Sequence, residues 1–175
     1  MIKGYIITGE QLTEEEVNGL YTNLCINHSV ETYMLKQRLK ECYKIVMIKT
    51  SDGEIIAQGA IKNPSPTHRS GIFRKAEYRF GPSITPDESY RLENTVQTFS
   101  QELGYLYVKE SIRHRGTSKK LVEKLLEGEQ STRLYATTSS PYMENILVQN
   151  GFHNRGVSWE SRRNPNRRVK LFVKF

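Results

Sequence analysis

A segment of strand, loop and helix between residues 103 and 127 constrains the fold of this chain most. Leu103–Val108 has the apolar and aromatic character of a strand. Gly116–Glu127 reads as a helix that Gly128 stops. Its apolar side chains recur with helical spacing on one face, at Leu121, Val122, Leu125 and Leu126. The segment is one part of the order of strands and helices predicted along the whole chain, which indicates a domain of the mixed α/β class.

The loop inside this segment, Arg113–Ser118, has the composition of an anion cradle. Gly116 lets the backbone approach an anion closely, and the following helix offers unpaired N–H groups and the positive end of its dipole. Charges and hydroxyl donors come from Arg113, Arg115, Thr117 and Ser118. The sequence has neither the Walker A nor the Rossmann glycine pattern here. The loop is consistent with a diphosphate site, but taken alone it is more often a basic turn.

The first sixty residues predict a strand, two helices and two further strands, in that order. A strand covers residues 2–8, and the capping box Thr13-Glu14-Glu15-Glu16 opens a helix. Ser29 is a candidate cap for a second helix that reaches about Cys42. The turn Asp52-Gly53 joins two antiparallel strands, Lys44–Thr50 and Glu54–Lys62.

Residues 63–100 are broken by prolines, and beyond them the pattern becomes regular again. Short helices are predicted over Thr67–Ala76 and after the capping box at Thr85, with core candidates at Leu92, Val96 and Phe99. The later predicted elements are a strand over Arg133–Thr138, a helix begun by Ser140 and Pro141 and ended by Gly151, and strands over Arg155–Ser161 and Arg168–Lys174.

Composition narrows the classes of partner. The 175 residues carry a formal net charge of +7, which favours anionic partners but is also compatible with a merely soluble surface. Cys25 and Cys42 have no metal-type spacing, and the four histidines are scattered, so no metal site is expected.

No stretch of apolar residues is long enough to cross a bilayer, and the N-terminal apolar run is too short for a signal peptide. We therefore expect a cytoplasmic protein that does not bind membranes.

The strand and loop resemble a known motif. The run from Glu102 to Val108, followed by Arg113 and Gly116, is similar to motif A of the GNAT superfamily of acetyl-CoA-dependent N-acetyltransferases. That motif has the form [Q/R]-x-x-G-x-[G/A] after a strand ending in valine. Ser118 departs from it, being small but neither glycine nor alanine.

A second signature follows in the expected order. The helix Tyr142–Asn150, closed by Gly151-Phe152, resembles the family's helix with a Gly-Phe end. The strand Arg133–Thr138 lies between the two signatures, as in the family. Together they cover about residues 101–156, and two motifs in order are more specific than either alone.

The resemblance implies a GNAT-like fold of one domain over residues 1–175, with a single central, mixed, mostly antiparallel sheet flanked by helices. It implies an acyltransferase that uses acetyl-CoA as co-substrate, with the diphosphate on the loop and the pantetheine in a gap between strands 103–108 and 133–138. No metal is implied. The implied cofactor-binding residues are Leu106, Tyr107, Val108, Arg113, His114, Arg115, Gly116, Thr117, Ser118 and Asn145.

The candidate catalytic residues are Glu102 and Tyr142. Glu102 lies where many family members carry a glutamate, and a carboxylate there could take the amine proton; a solvated glutamate at a strand start is the other interpretation. Leu147 stands where the family often has a tyrosine that protonates the leaving thiolate. Tyr142, one turn earlier, is a substitute acid, or else an ordinary surface or core aromatic.

The sequence does not indicate the acceptor amine, which belongs to either a small molecule or a protein. The rival hypothesis is a non-catalytic GNAT-like module that binds nucleic acid or an acidic protein. The basic segment Arg162–Arg168 invites that interpretation. It lacks the interleaved aromatics of a base-stacking surface, so a solvated hairpin tip is favoured. Assembly as a homodimer is left open.

Overall fold

The structure is a computed structural model that describes residues 3–26, 30–78, 95–162 and 164–175. Contacts divide the chain into two units, Met1–Asn63 with Leu103–Gln130 and Pro64–Glu102 with Ser131–Phe175. The described strands and helices, in chain order, are β1 (Lys3–Ile7), α1 (Glu14–Ile26), α2 (Leu35–Lys40), β2 (Lys44–Lys49), β3 (Ile55–Lys62), α3 (Pro66–Lys75), β4 (Gln101–Val108), α4 (Thr117–Leu126), β5 (Leu134–Thr138), α5 (Pro141–Gln149), β6 (His153–Glu160) and β7 (Arg168–Lys174).

The first unit is a sheet with the strand order β1-β2-β3-β4, covered by helices. The β1–β2 and β2–β3 pairs are antiparallel, and the hairpin between the latter turns at Gly53, whose φ is 91°. Helix α4 packs against β2 and β3, and α1 packs against β3 and α2. One core joins these elements, built from Leu20, Leu24, Leu35, Leu39, Cys42, Ile45, Met47, Ile55 and Ala60.

Helix α1 begins as its capping box predicts. The Thr13 N–H donates to a Glu16 carboxylate oxygen at 2.8 Å, and the Glu16 N–H donates to the Thr13 hydroxyl at 3.2 Å. The second helix is shorter than predicted, because α2 begins only at Leu35, after Met34 in a left-handed conformation. Burial of Leu35 and Leu39 fixes this single turn and a half against the core.

The second unit has the strand order β5-β7-β6, with both pairs antiparallel. Ser65 caps α3 by accepting the His68 N–H at 3.2 Å, and α3 and α5 both pack against β6. Residues 95–98 form a short helical segment. The core is rich in edge-to-face aromatic contacts and contains Phe73, Ala76, Tyr78, Val96, Phe99, Tyr135, Leu171 and Val173.

The predicted class, a mixed, mostly antiparallel sheet flanked by helices, is confirmed. Val96 and Phe99 are buried, as predicted. The proposed caps at Ser29 and Thr85, the core candidate Leu92, and Arg163 of the basic segment lie outside the described residues. A single domain over residues 1–175 stays a prediction. Every helix in the described part of the chain is too short or too polar to span a bilayer.

Candidate functional site

Strand β4 carries two features that set it apart from an ordinary strand. It begins at Gln101, two residues earlier than predicted, so Glu102 lies within the strand and is only 5% exposed. The interpretation of Glu102 as a solvated glutamate at a strand start is therefore wrong. Tyr105 has a φ of 54°, an uncommon value for a bulky side chain in a strand. Backbone irregularities of this kind interrupt strand pairing and are frequent beside active sites.

The side chains of β4 differ in how far they are exposed to a ligand. Tyr107 and Val108 are buried, at 7% and 8% exposure, so their contribution to any ligand has to come from the backbone. Leu106 is half-buried. The Lys62 ammonium lies 4.6 Å from the ring centre of Tyr105, a cation–π contact that holds this irregular residue on the first unit.

The loop after β4 is braced by its own side chains. The Arg113 Nε–H donates to the Val108 carbonyl at 2.9 Å, and the Thr117 hydroxyl donates to the Ile112 carbonyl at 3.3 Å. His114 and Gly116 both adopt positive φ, 63° and 75°. The guanidinium that sequence reasoning assigned to an anion thus also ties the loop to the end of the strand. Arg113, His114 and Arg115 are exposed.

The start of α4 supplies backbone donors. Lys120 is the residue whose N–H donates to the Gly116 carbonyl, at 3.1 Å. The N–H groups of the residues before it belong to the open first turn of the helix, which has no intrahelical acceptors. A Cβ built on Gly116 meets nothing within 4 Å, so the space beside Gly116, at the start of the helix, is open. Positive charge, backbone donors and space together fit a diphosphate.

The far end of α4 is anchored in the first unit. The Lys44 ammonium donates to the carbonyls of Leu125 and Glu127 at 3.0 and 2.7 Å and pairs with Glu129 at 2.9 Å. Both charged side chains are largely buried. A cation at the helix C-terminus complements the dipole whose positive end lies at Gly116.

In the second unit, Glu102 has two polar neighbours on one oxygen. The Tyr135 hydroxyl donates to Glu102 Oε2 at 3.2 Å, and His68 Nε2 lies 3.6 Å from the same oxygen. Burial, and then the negative charge of Glu102, raise the pKa of Tyr135 well above its usual range. The phenol therefore stays protonated and acts as a donor to the carboxylate.

Helix α3 is held in place by a buried arginine next to His68. Arg69 is 6% exposed, and its guanidinium donates to the Gln97 side-chain oxygen at 2.5 Å and to the carbonyls of Gln97, Pro64 and Ser100 at 3.3 Å. Neither His68 nor Arg69 was indicated as a site residue by the sequence pattern. The available signal was the Ser65-Pro66 helix start, which puts His68 in the first turn, but nothing local indicated that this turn faces Glu102.

The second signature folds as a helix with the predicted ends. The Ser140 hydroxyl accepts the Met143 N–H at 3.4 Å, and Gly151 has a φ of 82°. Leu147 is completely buried, so the position where a tyrosine is expected is occupied by a core side chain. Tyr142 is 50% exposed and Asn145 is also exposed, on the solvent side of α5.

No protein-family model matches the sequence, and no curated protein matches it. Solved structures match it along its whole length. Escherichia coli ElaA has a TM-score of 0.64 and 14% identity over 100% of both chains. An acyl-CoA N-acyltransferase from Pseudomonas aeruginosa has a TM-score of 0.64 and 12% identity over 100% of both chains. A Drosophila melanogaster polyamine N-acetyltransferase has a TM-score of 0.60 and 13% identity over 99% of both chains. The chain has the fold of the GNAT superfamily.

Within this GNAT fold, the structure assembles the candidate residues into two groups. The first unit contains the β4 backbone and the loop Arg113–Ser118. The second contains Glu102 with His68 and Tyr135, and, on α5, Tyr142 and Asn145. Among the residues that the structure describes, no group of three or more His, Cys, Asp or Glu side chains could hold a metal ion.

Proposed function

We propose that this protein is an N-acetyltransferase that moves the acetyl group of acetyl-CoA to an amine. The observation that carries the proposal is the open, positively charged start of α4 behind the irregular strand β4, in a chain with the GNAT fold. N-acyltransferases among the proteins of similar fold support an acyl-CoA donor.

We propose the following roles for the donor-binding residues. The diphosphate lies against the first-turn N–H groups of α4, with charge from Arg113 and Arg115. The remaining loop residues His114, Gly116, Thr117 and Ser118 shape the cradle. The β4 backbone at Leu106, Tyr107 and Val108 pairs with the pantetheine amides, and Asn145 is a further cofactor contact. Holding the thioester beside the amine supplies most of the rate.

The reaction requires a base because an ammonium has no lone pair with which to attack. The deprotonated amine nitrogen forms a bond to the thioester carbonyl carbon, and the carbon–sulfur bond breaks. The nitrogen gives up a second proton as the amide forms, and one proton goes to the departing sulfur. The balance is one ammonium and acetyl-CoA in, and one amide, CoA and one proton out.

Glu102 is the proposed base. Its carboxylate is buried within β4, where a proton acceptor in low dielectric interacts strongly with an ammonium.

Tyr142 is the proposed proton donor to the thiolate, since Leu147 has no proton to give. Changing Tyr142 to Phe should lower turnover without changing acetyl-CoA affinity; equal turnover would remove Tyr142 from the reaction.

Calorimetry with acetyl-CoA tests the proposal first. We expect binding in the micromolar range or tighter, and no binding at millimolar acetyl-CoA would overturn the enzyme assignment. Transfer is then assayed by thiol release with agmatine, phosphinothricin, the polyamine spermidine and a lysine-containing peptide; agmatine, phosphinothricin and polyamines are the amines named for proteins of similar fold. Glu102→Gln should lose about 100-fold or more in turnover, and wild-type turnover in that variant would exclude Glu102 as the base.

The rival binding-module hypothesis has less support. Arg168, in the basic segment, already uses its guanidinium to bind the Ser158 carbonyl and hydroxyl of the neighbouring strand. This agrees with a hairpin that Arg168 itself stabilises. A cytoplasmic location and a homodimer stay predictions.

A further inference from the structure

The proposed base, Glu102, is buried and needs a route by which its proton can reach water. The Glu102 side chain is only 7% exposed, yet a base must release its proton after every turnover. Its hydrogen-bonding neighbour Tyr135 is a poor exit, because the phenol is itself buried and remains protonated. A second group is needed that contacts both the carboxylate and water.

His68 meets this requirement. Its Nε2 lies 3.6 Å from Glu102 Oε2, while its side chain is 54% exposed. This separation is longer than a hydrogen bond, and catalytic contacts of this kind are often long in the free enzyme and tighten when substrate binds. Imidazole both takes up and releases a proton near neutral pH, which a guanidinium and an amide do not.

The position of His68 is fixed independently of its side chain. Its own N–H donates to the Ser65 hydroxyl, and the adjacent Arg69 is tied to Pro64, Gln97 and Ser100. The imidazole is therefore presented to Glu102 by a rigid helix start, and its removal leaves the cap and the arginine network in place.

We propose that His68 is a proton-relay residue, which carries the proton of the acceptor amine from the buried Glu102 carboxylate to solvent. This rests on the proposed function and adds a residue to it. In the step, the Glu102 carboxyl gives its proton to the neutral His68 imidazole, and the resulting imidazolium gives it to water. Glu102 returns to the carboxylate and His68 to the neutral ring, so the balance of one proton released per acetyl transferred is kept.

The test compares His68→Ala, His68→Gln and His153→Ala with the wild type, using acetyl-CoA and the four amines named above. His153 is an exposed histidine of the same unit, on β6, and is the matched control. We expect His68→Ala to lose about 10- to 100-fold in turnover, with the acetyl-CoA dissociation constant and the control unchanged. Added imidazole should restore His68→Ala and should not restore Glu102→Gln.

The glutamine variant separates proton transfer from hydrogen bonding. An amide at position 68 can contact Glu102 but cannot carry the proton, so His68→Gln should be as slow as His68→Ala. Wild-type turnover in either variant, or a loss in His68→Ala that imidazole does not reverse, would overturn the relay alone. Absence of transfer by the wild type to every amine would overturn the proposed function and the relay with it.

Discussion

The Tyr135 phenol donates a hydrogen bond to the Glu102 carboxylate over 3.2 Å, and both side chains are buried. Because this bond is made to a charged acceptor away from water, its loss leaves the carboxylate poorly solvated. Tyr135→Phe should therefore lower the free energy of unfolding by about 1.5–3 kcal/mol, as measured by urea denaturation. Tyr33→Phe, at a side chain that is 77% exposed, is the control and should change little.

The same pair predicts a pH dependence of stability. Burial, and then Glu102, raise the folded-state pKa of Tyr135 above the ordinary value of 10.0. The folded state thus keeps the proton that an unfolded tyrosine loses above that pH. The stability that the phenol contributes is complete below about pH 10 and decreases as the pH rises further. The difference in unfolding free energy between wild type and Tyr135→Phe should shrink above pH 10, and a difference that grows there would contradict the assignment.

Two glycines at opposite ends of α4 allow backbone strain to be separated from ligand binding. Gly116 and Gly128 both have positive φ, 75° and 82°, and a Cβ at either position meets nothing within 4 Å. Alanine should cost about 1–2 kcal/mol of stability at each. Only Gly116→Ala should weaken acetyl-CoA binding, by tenfold or more in calorimetry, because its methyl group enters the proposed cradle. Equal dissociation constants for the two variants would argue against a diphosphate at this helix start.

Gly59 leaves room for side chains of β4 and α4. A Cβ there would lie 2.7 Å from Leu106 Cδ2 and 2.9 Å from Leu125 Cδ1. Gly59→Ala should lower the free energy of unfolding by about 1–3 kcal/mol, as measured by thermal denaturation. Gly4→Ala, where a Cβ has open space, should change it by less than about 0.5 kcal/mol. Shortening Leu106 to Val in the Gly59→Ala background should recover part of the loss; an unchanged deficit would place the strain elsewhere.

The Lys44 ammonium joins β2 to the end of α4, and its pair with Glu129 is largely buried. Lys44→Met removes the ammonium that pairs with Glu129 and donates to two carbonyls, so we expect the free energy of unfolding in denaturant to fall by about 3 kcal/mol. The matched control is Lys109→Met, whose pair with Glu54 is exposed and should contribute less than about 1 kcal/mol. Similar losses in the two variants would show that burial does not decide the contribution of these pairs.

Much of the fold was predictable because the signals are local. The capping box at Thr13, the hairpin turn at Gly53 and the Ser140 cap each depend on residues within three or four positions of one another. The prediction was wrong at α2, where a residue with positive φ, Met34, immediately precedes the helix. Leu35 and Leu39 hold the helix against the core of the first unit, so its extent depends on contacts that are not local in the sequence.

The order of the elements, the glycine of the α4 loop and the apolar face of that helix could be predicted, because they depend on spacing along the chain. The burial of Glu102, and the approach of His68 and Tyr135 to one of its oxygens, depend on tertiary packing. These three side chains come from three separate segments, and no local pattern encodes a meeting that the packing of a helix and two strands produces.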